Sequence, residues 1–326
     1  MSAVRIGVYG AGQMGTVHAR TLAGFAGVSV VGVADADETR ARATAAAAGA
    51  EPCPDLDTLL AMRPDAVFVG VPNIHHAQAS ITALERGVDV FCEKPMATSL
   101  EDARRVLHTV EHTGRAYQMG FNRRFAPAYA GLRALVAGGM TVYSGTLKVN
   151  DGDRRTPVWL SDAAISGGFI YDKGIHLLDM ARWLLGPIDE VRCLARSSCY
   201  PDLDDAVALL RSRSGAIVTF SACGHATWTA PTERVELFGD HATAVTEGFE
   251  RLVHAPGLAR STAMHDFRAL PYEQRLGYEQ EEQAFLEAIV SGRPTPVSAD
   301  DGYRACELVD ACYRSAAADG TPVRLA

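Results

Sequence analysis

No apolar run in this 326-residue chain approaches the ~20 residues that a membrane-crossing helix needs, so no membrane partner is expected. Long runs of Lys or Arg are also missing and the formal net charge is −8. A protein of that charge has no track for a phosphate backbone, and nucleic acid is not an expected partner. The opening "MSAVRIGVYGAG" has no basic segment, long apolar core or cleavage site ahead of its first strand pattern, which points to the cytoplasm. Seven cysteines (Cys53, Cys92, Cys193, Cys199, Cys223, Cys306, Cys312) form no C-x-x-C pair. Their odd number and spacing argue against a disulfide framework and a zinc cluster; reduced structural thiols and no metal are expected.

What is present is an ordinary globular composition, 48% apolar and 21% charged, at a length where chains commonly divide into two domains. From Val4 the chain reads "VRIGVYGAGQMG": a β-branched run, then Gly10, Gly12 and Gly15 in G-x-G-x-x-G spacing, then a helix expected over about Thr16 to Ala26. Glycine permits the tight turn at Gly10, the approach of a pyrophosphate at Gly12 and close helix–strand packing at Gly15. The phosphates would sit on free N–H groups at a helix N-terminus. The next strand pattern, "VSVVGVADAD", ends at Asp35, about 20 residues past the last glycine, where a carboxylate binds the adenosine ribose hydroxyls. A carboxylate there repels a 2′-phosphate, and Ala36 and Asp37 supply no cation, so NAD is expected rather than NADP. Arg40, a turn further on, is the residue that bears against that preference.

Further strands and helices alternate through "DAVFVGVPN", a helix around Gln78 to Arg86, "VDVFCEKP", a helix opened by Ser99 and "RAYQMGFN". Near-continuous apolar strands alternating with helices imply a doubly wound parallel sheet covered on both faces, with ligands at the carboxyl ends of its strands. Those ends carry Asn73, His75 and His76 in "VPNIHH", Glu93 and Lys94 in "CEKPM", and Asn122, Arg123 and Arg124 in "GFNRRF". A lysine partly desolvated beside another cation, such as an oxidised nicotinamide, can exchange protons. The arginines could hold a polyol or carboxylate, one of them being instead a solvated or salt-bridged linker. The two histidines suit a loop beside the cofactor better than a metal, because no Cys or carboxylate set completes a site.

After Phe125 the pattern changes to a helix reaching about Ala137, then alternating strands at "TVYSGTLKVND", "EVRCLAR", "DAVALLRSR", "GAIVTFSACG" and "ERVELFGD". An open, mainly antiparallel sheet with one covered face is expected. The domains are drawn at 1–122 for the nucleotide platform and 123–326 for an α+β substrate and assembly domain. Two late helices, Glu279 to Val290 and Asp300 to Ala317, are expected to pack across the sheet or back onto the first domain. The uncovered sheet face predicts a homo-oligomer through that sheet. Between the strands, "GGFIYDKGIHLLDMARWLLG" places Asp172 and His176 at i and i+4, with Asp179 further along. A carboxylate one turn before a histidine orients the imidazole and raises its basicity, as a general base requires; a capping Asp followed by a core His is the structural alternative.

Taken in order, "GAGQMG", "VPNIHH", "EKP", "GFNRRF" and "SGGFIYDKGIHLLDMARWLLG" give the chain, over essentially its whole length, a resemblance to the Gfo/Idh/MocA oxidoreductases. The inositol 2-dehydrogenase branch is the most similar. The resemblance implies a Rossmann domain followed by an α+β domain, and a catalytic set of Lys94, Asp172 and His176. In that reading His176 takes the substrate hydroxyl proton, Lys94 assists by hydrogen bond, and hydride passes to nicotinamide C4. The candidate cofactor contacts are Gly10, Gly12, Gln13, Met14, Gly15, Asp35, Val71, Pro72, Asn73, His76, Glu93 and Lys94. The candidate substrate contacts are Asn122, Arg123, Asn150, Asp151, Asp172 and His176. "VNDGDRRTPVW" occupies the place of a Pro-rich substrate loop in inositol dehydrogenases; Asp151 corresponds, whereas Arg154, Arg155 and also Lys173 depart. An inositol or related cyclic polyol is the expected substrate. A sugar, aminosugar or glycoside is the alternative, and a catalytically idle NAD-binding sensor is an alternative of another class.

Overall fold

The computed structural model describes residues 3–227, 232–258 and 261–325. Its strands are β1 (Val4–Tyr9), β2 (Val28–Ala34), β3 (Glu51–Cys53), β4 (Ala66–Val69), β5 (Asp89–Glu93), β6 (Tyr117–Gly120), β7 (Val142–Asn150), β8 (Ile188–Arg196), β9 (Asp205–Ser212), β10 (Ile217–Cys223), β11 (Glu233–Gly239), β12 (Thr243–Glu247), β13 (Arg251–Ala255), β14 (Ala263–Asp266) and β15 (Val323–Arg324). Its helices are α1 (Gln13–Ala23), α2 (Glu38–Ala48), α3 (Leu56–Ala61), α4 (His76–Glu85), α5 (Leu100–Thr113), α6 (Pro127–Ala137), α7 (Ala163–Ser166), α8 (Ile175–Leu185), α9 (Tyr272–Leu276), α10 (Tyr278–Ser291) and α11 (Ala299–Ala317). Contacts divide the chain into two compact units, Met1–Gly120 with Glu279–Cys306, and Phe121–Tyr278 with Glu307–Ala326. The division falls two residues before the one drawn from sequence, and the segment carrying most of α10 and the start of α11 belongs with the first unit.

The first unit is a six-stranded parallel sheet in the order β3-β2-β1-β4-β5-β6. Chain order reverses between β1 and β4, so the crevice beyond their carboxyl ends is the place where such sheets bind ligands. β4 and β6 are buried along their whole length, as expected for strands covered on both faces. Phe68 of β4 and Phe91 of β5 stack with ring centroids 4.4 Å apart, and Phe285 of α10 meets both edge-on at 5.6 and 5.7 Å. Helix α1 begins at Gln13, three residues earlier than expected, because Gly12 serves as its N-cap and the third glycine of the motif already lies in its first turn. Ser99 caps α5 by accepting the Asp102 N–H, as its spacing suggested.

The second unit is built on a nine-stranded sheet in the order β14-β13-β12-β11-β7-β10-β9-β8-β15. Among the described pairs only β7 and β10 run parallel. Strands β12, β13 and β14 are additions to the sequence-based picture. Helix α6 lies against β12 and β13, and α8 against β7 and β8. Along β9 the alternation is clean: Ala206, Ala208 and Leu210 are buried while Val207 and Leu209 are 58% and 56% exposed. Leu194 and Ile217 add to the exposed apolar face. Among the described residues, no helix is long and apolar enough to cross a membrane.

Candidate active site

The glycine turn fits a dinucleotide. Gly10 has φ +102°, and a Cβ there would stand 2.5 Å from the Gly70 carbonyl oxygen; a Cβ on Gly15 would run into the Gly10 carbonyl oxygen. These two glycines let β1, β4 and α1 approach one another. Gly12 differs: a Cβ built on it meets nothing within 4 Å, leaving room at the start of α1. That helix has no side-chain cap, so its first N–H groups remain available to an anion. Gln13 is exposed and Met14 half-buried beside them.

Asp35, at the end of β2, is positioned by accepting hydrogen bonds from Ala11 N–H at 2.7 Å, Asp37 N–H at 2.8 Å and Arg40 Nη2 at 2.9 Å. Burial would raise its pKa, but Arg40 and the two backbone donors hold it below the usual carboxylate range. Arg40, which bore against the cofactor preference, is thus engaged by the ribose-binding candidate itself.

At the end of β4, Val71 and Pro72 are half-buried and Asn73 is buried in a short 3₁₀ turn. His76 is buried at the start of α4, its Nδ1 2.7 Å from Pro95 O and its Nε2 2.7 Å from Val71 O. His75 does not share this arrangement: it remains outside, before the helix. At the end of β5, Glu93 turns into the unit. Its Oε1 is 3.0 Å from His18 Nε2, and its Oε2 accepts the Lys94 N–H at 3.1 Å. Lys94 itself is half-buried and precedes a cis peptide to Pro95.

In the second unit, Asp172 and His176 are each 5% exposed. The expected single helix is two pieces: Ile170–Gly174 forms a π-helical turn containing Asp172 and Lys173, and α8 follows with His176 in its first turn. Such turns recur at functional sites. Its entry is held by Tyr313, whose hydroxyl accepts from Ile170 N–H and donates to Gly167 O, both at 3.3 Å. Phe121 meets the His176 ring edge-on at 6.1 Å. Asn150 ends β7; Asp151 follows it, buried, donating its N–H to Cys223 O at 2.7 Å.

The two arginines of "GFNRRF" are both ion-paired within the second unit. Both guanidinium groups point inward: Arg123 pairs with Glu233 through two bonds and donates to Asn122 Oδ1 at 3.0 Å, while Arg124 grips Asp179 at 2.9 and 2.6 Å. Asn122 in turn donates to Leu276 O at 2.8 Å. The donors expected to meet a polyol are therefore engaged by the protein, and Asp179 bonds to Arg124. Arg154 is fully buried, bonded to Asp202 and Leu160 O at 2.5 Å each and lying 4.9 Å from the Phe169 ring, whereas Arg155 is exposed beside Asp153.

Three features escaped the sequence reading. His18 and Glu282 lie 264 residues apart yet meet at 2.8 Å; only the position of His18 one turn after Gly15 hinted at a buried side chain. Two overlapping sets of metal-capable groups, Cys199 with Asp204 and Asp205 with Cys223, share His225. Asp204 there already accepts N–H groups of Ser198, Cys199 and Tyr200, which shapes its own loop. The third is the Arg154–Asp202 pair.

Two family profiles cover most of the chain: "oxidoreductase family, NAD-binding Rossmann fold" over residues 4–121 and "oxidoreductase family, C-terminal alpha/beta domain" over residues 139–325. Inositol 2-dehydrogenase 1 of Saccharopolyspora erythraea is 33% identical over 99% of this chain and 96% of its own. The crystal structure of a myo-inositol dehydrogenase from Corynebacterium glutamicum superposes with a TM-score of 0.83 at 27% identity, covering 99% of each chain. GenD2 from gentamicin A biosynthesis, in complex with NAD, gives 0.82 at 27% identity over 100% of this chain and 97% of its own.

Proposed function

The chain belongs to the Gfo/Idh/MocA family of NAD-dependent oxidoreductases acting on CH–OH groups, and on that premise we propose that it oxidises a secondary hydroxyl of an inositol or related cyclic polyol to a ketone. The observation that carries the reading is the joint burial of Asp172 and His176 at the π turn and first turn of α8. A buried carboxylate near an imidazole keeps it oriented and basic, which suits removal of a hydroxyl proton. His176 takes that proton. Lys94 donates a hydrogen bond to the same oxygen as negative charge develops on it. When bound, NAD supplies the hydride acceptor at nicotinamide C4. Gly12 and the N-terminus of α1 hold its pyrophosphate, with Gln13 and Met14 beside it. Asp35 binds the adenosine ribose hydroxyls, and Val71, Pro72, Asn73 and His76 line the turn on the other side of the crevice. Asn150 and Asp151 contact the polyol; Asn122 and Arg123 shape its surroundings through Glu233 and Leu276.

A second reading, oxidation of a sugar, aminosugar or glycoside, draws support from the departures at Arg154, Arg155 and Lys173 and from the likeness to GenD2. NADH formation at alkaline pH across inositol isomers, aldoses and aminocyclitols separates the two. Activity confined to sugars or glycosides would select the second reading, and NAD binding without turnover of any polyol or sugar would indicate a sensor. The exposed apolar face of Leu194, Val207, Leu209 and Ile217 supports a homodimer or homotetramer through the second sheet. Leu209→Lys is expected to lower the oligomeric mass in light scattering; an unchanged mass would remove that assignment.

A further inference from the structure

Around Glu93, itself among the candidate cofactor contacts, the first unit contains a buried charged cluster. His18 of α1 is 1% exposed, with Nδ1 2.8 Å from Glu282 Oε1 and Nε2 3.0 Å from Glu93 Oε1. A neutral imidazole has one N–H and would turn a lone pair toward one of these oxygens. Only the imidazolium donates to both. Phe68 and Phe91 lie 5.4 and 5.3 Å from the ring, so the cluster sits in an apolar surround where such bonds are strong. Burial alone would lower the His18 pKa, but Glu282 and Glu93 raise it to about 10. Burial pushes Glu282 up to about 7, with Glu93 and Glu279 adding to the rise, because one cation serves two carboxylates. Burial also acts to raise Glu93, yet His18, Lys94 and His76 bring it below its ordinary value.

The cluster is joined to the backbone on which Lys94 stands. Glu93 uses its second oxygen to accept the Lys94 N–H at 3.1 Å, and the carbonyl one residue beyond, Pro95 O, faces His76 Nδ1 at 2.7 Å. The backbone before and after Lys94, at the Glu93–Lys94 peptide and at the Pro95 carbonyl, is thereby tied to two helices, α1 through His18 and Glu93, and α4 through His76. Helix α1 also carries Gly15, one turn before His18.

We propose that His18, clamped between Glu93 and Glu282, is a positioning residue for Lys94, fixing the backbone from which the lysine reaches the reacting hydroxyl. The role given to Lys94 rests on the dehydrogenase reading; the clamp itself does not. A single helix then links the nucleotide turn to the lysine. Loss of the imidazolium would leave Glu93 as a buried carboxylate without its partner, free to reorient toward other donors.

The test uses the full chain with NAD. Nitrogen NMR of histidine-labelled wild-type protein, with the His18 signal identified by its loss in His18→Gln, is expected to show both ring nitrogens protonated at pH 8; a neutral ring at that pH overturns the proposal. Glu282→Gln is expected to lower the His18 titration midpoint by about one unit or more, and an unchanged midpoint counts against the clamp. In His18→Gln, hydrogen exchange at the Lys94 amide should accelerate roughly tenfold or more as the local structure opens, with kcat falling more than the polyol KM changes. Unchanged Lys94 exchange and kcat alongside a lower thermal midpoint would make His18 a packing residue only. If wild-type protein turns over no polyol while His18 is charged and Lys94 exchange responds, the clamp stands and the substrate reading fails.

Discussion

In the first unit a buried imidazolium is shared by two carboxylates, whereas in the second the buried pairs are guanidinium groups each set against one carboxylate: Arg123 with Glu233, Arg124 with Asp179 and Arg154 with Asp202. Guanidinium keeps its charge at any pH a protein meets, while imidazole loses it when its surroundings allow. The nucleotide platform therefore has a frame whose charge state depends on proton binding. The three buried pairs named in the second unit keep their cations whatever the pH.

Four measurements would break or sharpen that contrast. The largest effect is expected for His176→Ala: kcat for polyol oxidation should fall roughly 10²- to 10⁴-fold, the usual contribution of a positioned acid or base, with little change in the unfolding midpoint. A small loss would transfer proton abstraction elsewhere. Next, Arg123→Met leaves Glu233 buried without its cation and should cost about 3–5 kcal/mol in denaturant unfolding. Adding Glu233→Leu should restore much of that stability, since well-packed apolar replacements of a buried pair are often tolerated; no recovery would mean that the pair contributes beyond mutual neutralisation.

A smaller effect is expected in the first unit. Asp35→Ala removes a charged acceptor, a change on the order of 1.5–3 kcal/mol, so KM for NAD should rise roughly ten- to a hundredfold by steady-state kinetics. The same variant releases Arg40 from Asp35, with the exposed Asp37 still 3.6 Å away, and should narrow the preference over NADP; unchanged discrimination would take specificity away from Asp35. The smallest effect is a slope. His18 is raised from 6.5 to about 10, so its stabilising contribution is fully present below pH 6.5 and is lost as pH rises through 10. Unfolding free energy should fall across that window by at most about 1.4 kcal/mol per pH unit for one proton, and His18→Gln should flatten the curve.

Much of this architecture could be read from residue order. The strand, glycine turn, helix and Asp35 followed from local rules, since Gly10 and Gly15 answer to backbone contacts one strand or a few residues away and Gly12 keeps the start of α1 open. Asp172 and His176 were legible as a pair because four residues is a helical neighbour spacing. The orientation of the arginines was not: Arg123 and Arg124 are adjacent in sequence, and nothing local says that Glu233 and Asp179 await them inside. His18 with Glu282 was hidden for the same reason, being a contact across nearly the full chain. The short strands β12, β13 and β14 carry too few alternations to stand out from the turns around them.

The π turn at Ile170–Gly174 has a consequence for chain length. Such a turn closes over five residues where an α-helix closes over four, so it accommodates one surplus residue inside an otherwise regular run. Removing that residue would let the helix continue unbroken with the residues on either side kept near their present faces, because the wide turn is what absorbs the extra one. Asp172 would then stand three residues before His176 instead of four, still a neighbour on the helix surface. A relative that matches both ends of this helix but is one residue shorter between them should keep a carboxylate beside its histidine at a spacing of three, so a gap in an alignment here would move the pair in sequence without parting it in space.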